Sequence, residues 1–185
     1  MSESLRRWLI PTGLLLVLAA VNFSIWQKET LIASGTPVSL PLAPVDPRSL
    51  MQGDYMALDW QLARELTKRY ASLPDTGKVV LHFVGGTTRA ELARLDDGQP
   101  LAKDEVRLDY RVRDGRVKVA TDAYFFQEGT ASAFEQARYG DLRVAPGGTA
   151  ILVGLQDKDL ATIKPAPMPE EGQEVVPDDA AETTR

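Results

Sequence analysis

Residues 45–60 read VDPRSLMQGDYMALDW and combine two turn signals with the start of a strand. Asp46 and Pro47 open the first turn, because proline fixes φ and the aspartate carboxylate accepts hydrogen bonds from nearby backbone N–H groups. Gly53 tolerates a positive φ at the second turn, and Asp54 can cap that turn. We therefore expect this stretch to fix the path of the strand that follows and the rest of the fold to be arranged around it.

The strand after the second turn alternates between two faces. A period of two places Met56, Leu58 and Trp60 on one face, which predicts a buried row. Tyr55 should lie against the preceding loop, with its hydroxyl hydrogen-bonded at the edge of the sheet. The face opposite the buried row carries Tyr55, Ala57 and Asp59.

These residues also carry a family resemblance. The string formed by Gly53, Asp54, Tyr55, Leu58 and Trp60 resembles the signature of the GDYXXLXY domain family, with tryptophan in place of the last tyrosine. The run YFFQEG at 124–129 is similar to a second recurrent block of that family, and the resemblance covers residues 31–163. It implies a membrane-anchored extracytoplasmic domain of bacteria that accompanies multi-spanning membrane proteins and has no assigned catalytic residue or cofactor.

The composition narrows the class of protein. Hydrophobic residues make up 44% of the 185 residues, which suffices for one folded domain with appendages. The chain has no cysteine and one histidine, so its own side chains cannot supply a disulfide, a thiolate nucleophile or the usual zinc sites. Residues 165–185 carry six acidic residues and one basic residue, and the rest of the chain is balanced. This balance argues against electrostatic binding of nucleic acid.

Residues 8–26, WLIPTGLLLVLAAVNFSIW, form an uncharged run of 19 residues. As a helix it would be about 28 Å long, close to the roughly 30 Å of a bilayer core, with a tryptophan at each interface. Arg6 and Arg7 in residues 1–7 should stay in the cytoplasm. These features predict a single-pass anchor with the C-terminal domain outside the cytoplasm. Together with the family resemblance, they imply an anchor in the bacterial inner (cell) membrane, with the C-terminal domain in the periplasm or outside. The alternative is a cleaved signal peptide, but the run is long for one and residues 18–20 (LAA) are a poor cleavage site.

Two short helices are expected after the anchor. Residues 61–72 continue an apolar stripe with a spacing of four, which is typical of one helix face. In residues 130–139, Ser132 and Glu135 suggest a capping box and Gly140 suggests a helix end. The stripe of the first helix consists of Leu58, Leu62, Leu66, Tyr70 and Leu73.

About eight short strands should account for the remainder of residues 31–163. Residues 31–42 hold two prolines and should form an edge strand, because proline donates no hydrogen bond to a ladder. Antiparallel hairpins dominate, so we expect a mainly β (α+β) sandwich or partly closed barrel with two short helices. Residues 164–185 have little to bury and should be a disordered acidic tail. Three hairpins are predicted by turn signals at Gly85-Gly86, Asp114-Gly115 and Pro146-Gly147-Gly148.

Four polar residues lie close together in sequence around the two turns. Asp46, Arg48, Asp54 and Asp59 could form an acid–base pair or a divalent-cation site, or they could cap the turns, with Arg48 paired to Asp46 or Asp54. Asp54 and Asp59 are five residues apart, so a regular strand would point them to opposite faces. Capping is therefore the interpretation that we favour.

Hydrolytic chemistry has little basis in the sequence. Ser49 and Asp54, followed by Lys68, faintly resemble membrane-anchored signal peptidases, but the nucleophile position falls on Val45, which has no hydroxyl. Nucleophilic catalysis needs an activated hydroxyl beside a base. His82 lies in an apolar strand, and the chain has no G-x-S-x-G nucleophile elbow.

The second block offers one further acid. Glu128, between aromatic residues and a helix start, could lie at the edge of a pocket or contact a partner. The interpretation that we favour is that it stabilises the helix N-terminus, whose partial positive charge favours a carboxylate. Tyr124, Phe125 and Trp60 could line a barrel mouth that takes a small ligand.

We expect an accessory or interaction domain that works with an integral-membrane partner, with no catalytic, cofactor or metal residues assigned. The alternatives are a cell-envelope hydrolase and a small-ligand-binding β-barrel module. If the two sequence blocks meet in space, they form either one packing nucleus or one site. The candidate interaction residues are Asp46, Arg48, Gly53, Asp54, Tyr55, Leu58, Trp60, Tyr124, Phe126, Glu128 and Gly129.

Overall fold

The computed structural model describes residues 3–43, 51–52 and 55–165 of the chain, and the side chains of residues 11–43 and 55–165. It begins with a 32-residue α-helix, α1 (Glu3–Ser34). Within α1, the segment Pro11–Ser34 has a mean hydropathy of 1.2 and is not buried by the rest of the chain, so α1 is long and apolar enough to cross a membrane.

The helix extends further than the sequence indicated. Residues 31–34, which we expected to begin an edge strand, are the last turn of α1. The hydroxyls of Thr30 and Ser34 donate to the carbonyls of Trp26 and Thr30 at 2.8 and 2.7 Å, so polar side chains remain hydrogen-bonded within the helix. Gly35 ends the helix, and its N–H donates to the Leu31 carbonyl at 2.8 Å.

The part of the chain that the structure describes contains ten strands, most of which are short. The edge strand begins after Gly35 and lies at one side of its sheet, as the two prolines predicted. The strands are β1 (Thr36–Pro41), β2 (Met51–Gln52), β3 (Tyr55–Ala57), β4 (Thr76–Phe83), β5 (Ala90–Leu95), β6 (Glu105–Arg113), β7 (Arg116–Val119), β8 (Ala123–Phe125), β9 (Tyr139–Val144) and β10 (Ala150–Gln156).

Three antiparallel sheets make up the body. Their strand orders are β1-β9-β10, β2-β3-β8 and β5-β4-β6-β7. Strands β1 and β5 meet at a parallel bridge between Ser39 and Arg89. The Ser39 N–H donates to the Thr88 carbonyl at 2.7 Å, and the two hydroxyls are 2.8 Å apart. The sheets curl into a half-barrel, which confirms the mainly β, partly closed barrel.

The predicted hairpins are present. Strands β4 and β5, β6 and β7, and β9 and β10 pair in antiparallel register around the three glycine-containing turns. Asp114 and Gly115 have φ values of 50° and 71°, and two consecutive positive φ values are the mark of a type I′ turn.

The first short helix matches its prediction in position but is shorter. Helix α2 (Gln61–Arg69) buries Leu62 and Leu66 against the core. It ends before residue 72, because Tyr70 has extended backbone angles and its N–H closes the last turn on the Leu66 carbonyl at 3.1 Å.

The prediction of a second helix at 130–139 was largely wrong. Only Ala131–Phe134 is helical, as one 3₁₀ turn, and Tyr139 and Gly140 belong to strand β9. Ser132 lies inside the 3₁₀ turn, so it is not an N-cap. Phe134 is buried in the core, and its packing, rather than a capping box, accounts for the turn.

A partly buried ion pair links the β5–β6 loop to β6. Arg107 Nε donates to Asp96 Oδ2 at 2.8 Å, and the Gly98 N–H donates to Asp96 Oδ1 at 3.1 Å. Burial opposes the charged form of Asp96. The hydrogen bonds from Arg107 and Gly98, with the positive charges of Arg107 and Arg94, outweigh burial and lower the pKa of Asp96 below its ordinary value.

Replacing Asp96 with asparagine should reduce the free energy of unfolding by about 1–2 kcal/mol at neutral pH, because a hydrogen bond to a charged group is lost. A lowered folded-state pKa stabilises the fold above the unfolded value of about 3.9, and this stabilisation is lost as the pH falls through the folded value. The difference between wild type and Asp96→Asn should therefore shrink below about pH 4.

Denaturant titrations at a series of pH values measure this difference. Asp97→Asn is the control, because it removes a charge from the same turn without touching Arg107. A difference between wild type and Asp96→Asn that does not change with pH would contradict the assignment.

Candidate functional site

The two sequence blocks meet in one sheet. Strand β3 pairs with β8 so that Tyr55 lies opposite Phe125, Met56 opposite Tyr124 and Ala57 opposite Ala123. Just beyond the paired strands, the Leu58 N–H donates to the Asp122 carbonyl at 2.8 Å. The sequence predicted that such a meeting would create either one packing nucleus or one site, and the contacts between the two blocks form a packing nucleus.

The packing nucleus is aromatic. The ring centroids of Tyr55 and Phe125 are 5.8 Å apart. Phe134 lies between two residues of the second block, with an edge contact to Tyr124 at 5.3 Å and a stacked contact to Phe126 at 5.1 Å. Such pairs stabilise by about 0.5–1.5 kcal/mol each beyond the area they bury. The 3₁₀ turn therefore packs against β8, the strand that pairs with β3.

Met56, Leu58 and Trp60 form the buried row that their alternation predicted. Trp60 is 2% exposed, and its indole N–H donates to the Thr121 carbonyl at 2.8 Å. Its ring covers the backbone of Gly140, where a Cβ would lie 2.7 Å from Cζ3 of the indole. Gly140 is thus the small residue that admits the ring, which corrects its interpretation as a helix end.

Next to this row lies an open groove of about 820 Å³. The junction between β3 and α2 forms its base, the outer face of α2 forms one wall, and β7 with the turn before it forms the other. The half-buried side chains of Ala57, Ala63 and Val117 give the groove an apolar surface. The groove is therefore formed by two segments that are distant in sequence, residues 57–68 and residues 115–122.

The rim of the groove is basic. Arg64 pairs with Asp59 at 2.7 Å, and Lys118 pairs with Asp122 at 2.6 Å. Lys68 and Arg116 also line the groove and are exposed. Within the described ranges no carboxylate lies within ion-pair distance of either, so two cations remain available to an anionic group.

Sequence reasoning did not find this rim. In the sequence, Lys68 stands out only through the faint resemblance to signal peptidases, and no local pattern singles out Arg116. Arg64 and Lys68 are four residues apart on α2, and that spacing is the one local signal that the two share a helix face. Arg116 and Lys118, on the opposite wall of the groove, belong to the β6–β7 hairpin. Only the tertiary structure brings this hairpin next to α2.

Tyr124 and Phe125 line a separate cavity of about 370 Å³, between β8 and residues 150–152 of β10. Trp60 is part of the larger groove and does not line this one. Phe125 is 74% exposed. The three aromatic residues that we expected at one barrel mouth therefore face two different depressions.

The remaining candidate residues are placed as follows. Asp46, Arg48, Gly53 and Asp54 lie outside the described residues. Glu128 and Gly129 are exposed in a turn, in which Gly129 has a φ of 81°. Thr130 closes that turn, because its N–H and hydroxyl donate to the Gln127 carbonyl at 3.1 and 2.6 Å.

The chemistry available to the described residues is limited. Among them, no group of three or more histidine, aspartate or glutamate side chains is placed to hold a metal ion. His82 is half-buried in β4, opposite Glu91 and Glu105 on the neighbouring strands. Ser49, the partner of Lys68 in a Ser–Lys mechanism, is outside the described ranges. The groove is suited to binding charged groups, and it presents no nucleophile–base pair.

Comparison with known proteins gives one match. A family model described as GDYXXLXY protein matches residues 17–155. This match begins inside α1 and ends in β10, so it includes the second half of the apolar helix together with nearly all of the β body. No curated protein and no solved structure matches the chain.

Proposed function

The chain belongs to the GDYXXLXY protein family, and from that premise we propose that it is a membrane-anchored extracytoplasmic accessory domain that binds an integral-membrane partner. In this proposal α1 is a single-pass anchor in the inner (cell) membrane. The β body then lies in the periplasm or outside the cell. We assign the protein no reaction.

The groove between α2 and β7 is the observation that carries this proposal. It combines an apolar surface, including Val117, with two exposed cations, Lys68 and Arg116, which have no ion-pair partner among the described residues. An apolar centre with a polar, charged rim is the usual anatomy of a protein interface. The groove fits an extracytoplasmic loop of a partner that carries an apolar side chain next to an acidic one.

The position of the body relative to α1 favours a partner in the same membrane. One residue, Gly35, separates the end of α1 from the start of β1. A domain attached this closely cannot move far from the bilayer that holds its helix. The partner surfaces within its reach are therefore the loops of integral-membrane proteins.

Site-specific photo-crosslinking in the native membrane tests the proposal. A photoreactive amino acid at Thr67, an exposed position on the groove wall, should crosslink the full-length chain to a polytopic membrane protein. The same amino acid at the exposed Lys103, in the loop before β6, is the control and should give no such adduct.

Charge reversal tests whether formation of the adduct depends on the basic rim of the groove. Lys68→Glu combined with Arg116→Glu should reduce the Thr67 adduct by about 25-fold or more if each cation contributes about 1–2 kcal/mol to a charge-assisted contact. An absent adduct, or an adduct of equal yield from Lys103, would contradict the proposal.

A small anionic ligand is a second candidate for the same groove. Its volume of about 820 Å³ falls in the range of known ligand pockets, which is about 300–1,000 Å³. The two candidates differ in where the binding appears, because a small ligand would bind the purified chain without any partner protein.

A further inference from the structure

The last described residues turn back along strand β10. After a turn, Thr162 forms an antiparallel bridge with Gln156, and the Ile163 N–H donates to the Leu155 carbonyl at 2.9 Å. Strand β9 occupies the other edge of β10, so these residues lie at the edge that β9 leaves open. The chain therefore leaves the described structure along β10, in the direction of Ala150.

The sequence that follows cannot extend this pairing. It reads PAPMPEE from residue 165, with Pro165, Pro167 and Pro169 two, four and six residues after Ile163. Alternate residues of an antiparallel edge strand donate to the neighbouring strand, and proline has no N–H to donate. Proline-rich segments instead adopt an extended polyproline helix and pack against aromatic side chains. Residues 166–185 lie outside the described residues.

An apolar cavity lies along the path that the chain takes. It is the cavity of about 370 Å³ between residues 123–125 of β8 and 150–152 of β10. In the described part of the chain, β8 and β10 each lie at the edge of a sheet, so this cavity is on the open side of the half-barrel. Phe125 is exposed there, and Ile151 and Leu152 are half-buried. We call this cavity the seam.

Two arginines lie beyond the seam in the same direction. A second cavity, of about 300 Å³, is lined by Arg111 and Arg113 of β6 together with Thr149 and Ala150. Ala150 lines both cavities, so a chain that follows β10 through the seam reaches the arginines next. Both arginines are exposed, and neither has an ion-pair partner among the residues that the structure describes.

The acids of the second cavity do not neutralise these arginines. Asp109 pairs with Lys78 at 2.6 Å and accepts a hydrogen bond from the Thr149 hydroxyl at 3.1 Å. Asp122 pairs with Lys118 at 2.6 Å. Within the described ranges, the two arginines therefore remain available to carboxylates from another segment.

The length of the proline-containing segment matches the path. From Leu155 back to Ala150, β10 covers five residues, or about 17 Å of strand. From Ile163 to Glu170 there are seven residues, which span about 22 Å in a polyproline helix. Glu170 and Glu171 would therefore lie just past Ala150, where the cavity of the arginines begins.

We propose that residues 165–171 dock into the seam of their own chain. Met168 and the three prolines cover Phe125, and the two glutamates at the end of the segment pair with Arg111 and Arg113. The docked segment fills the open side of the half-barrel. It leaves the groove between α2 and β7 open to a membrane partner.

Two spin labels on the full-length chain, in nanodiscs of phosphatidylcholine, test the docking. The chain has no cysteine, so Gln127→Cys and Gln173→Cys take one label each. Residue 127 is exposed just after β8, and residue 173 follows the two glutamates. Double electron–electron resonance measures the distances between the labels. A docked segment should give one narrow distance distribution, whereas an undocked segment would give a broad one.

Charge variants test the two ion pairs. An exposed ion pair shifts such an equilibrium by about twofold. Glu170→Lys with Glu171→Lys turns two attractions into repulsions, so it should lower the ratio of docked to undocked segment by about tenfold or more. Adding Arg111→Glu with Arg113→Glu should restore the narrow distribution. If that charge reversal impairs folding, Arg111→Gln with Arg113→Gln in the natural segment should lower the ratio by about fourfold.

Asp178→Lys with Asp179→Lys is the matched control, because it makes the same change in charge further along the chain. It should keep the narrow distribution. A broad distribution in the doubly labelled chain without charge changes would overturn the proposal, as would a narrow one that survives Glu170→Lys with Glu171→Lys. Equal losses in the control and in that variant would also overturn it.

A mixture of the two singly labelled chains separates docking within one chain from docking between copies. It should show no narrow distance. The same narrow distance in this mixture would place the segment of a second copy in the seam and would overturn the proposal. Because the nanodisc contains no partner protein and Lys68 and Arg116 are unchanged, these results are independent of the crosslinking test for a membrane partner.

Discussion

Replacing Trp60 with alanine should lower the free energy of unfolding of the β body by about 3–5 kcal/mol, the range measured for buried large aromatic residues. The ring is almost fully buried and covers Gly140, and its N–H satisfies the Thr121 carbonyl. Truncation would leave a cavity between β3 and β9 and an unpaired carbonyl. Denaturant titration of the full chain in detergent, followed by circular dichroism, measures the loss.

Trp26→Ala is the matched control, because it removes the same side chain from a position in α1 that is 61% exposed. Its effect on the unfolding of the β body should stay within about 0.5 kcal/mol, as for other surface changes. Similar losses for the two variants would show that Trp60 does not stabilise the core.

Gly140→Ala tests the contact between the ring and the strand. Overpacking of this kind typically costs about 1–3 kcal/mol, because the ring or β9 must shift to admit a methyl group. In a Trp60→Ala background the new Cβ meets no ring, so the double variant should lose less stability than the sum of the single variants by about 1 kcal/mol or more. Additive losses would contradict direct coupling.

The pair Trp60 and Gly140 also shows what local sequence signals can and cannot predict. The alternation of Met56, Leu58 and Trp60 is a local pattern, and it correctly gave the buried face. Gly140 follows ten residues that suggested a helix, and from sequence a glycine there resembles a helix end. Its actual role depends on a ring 80 positions earlier, which no local pattern contains.

The contrast between local patterns and long-range contacts also explains which parts of the candidate site could be predicted from the sequence. The hairpins could be predicted because their turns require residues with positive φ, such as Asp114 and Gly115. The groove depends on β3 pairing with β8, which are more than sixty residues apart, and on α2 lying against the β6–β7 hairpin. When α2 and β7 are considered separately, their charged residues resemble ordinary solvent-exposed surface. Only when the elements are assembled do Lys68 and Arg116 face one groove.

Placing two aspartates in α1, Leu15→Asp with Leu18→Asp, should release the protein from the membrane. Both side chains are exposed on a helix that the rest of the chain does not bury. Each aspartate at the centre of a spanning helix costs about 2.5–3.5 kcal/mol of insertion free energy, so two cost about 5–7 kcal/mol. Carbonate extraction of membranes, with the protein detected in pellet and supernatant, measures the shift.

Thr30→Asp is the control and also defines the span. Residue 30 lies one turn beyond Trp26, and in the predicted span of residues 8–26 an aspartate there would be in the interface, where its cost is small. This variant should therefore remain in the pellet. If it is released as readily as the Leu15 and Leu18 variant, the span reaches Ser34 and the β body lies closer to the headgroups. If the Leu15 and Leu18 variant itself resists extraction, α1 is not what holds the protein in the membrane.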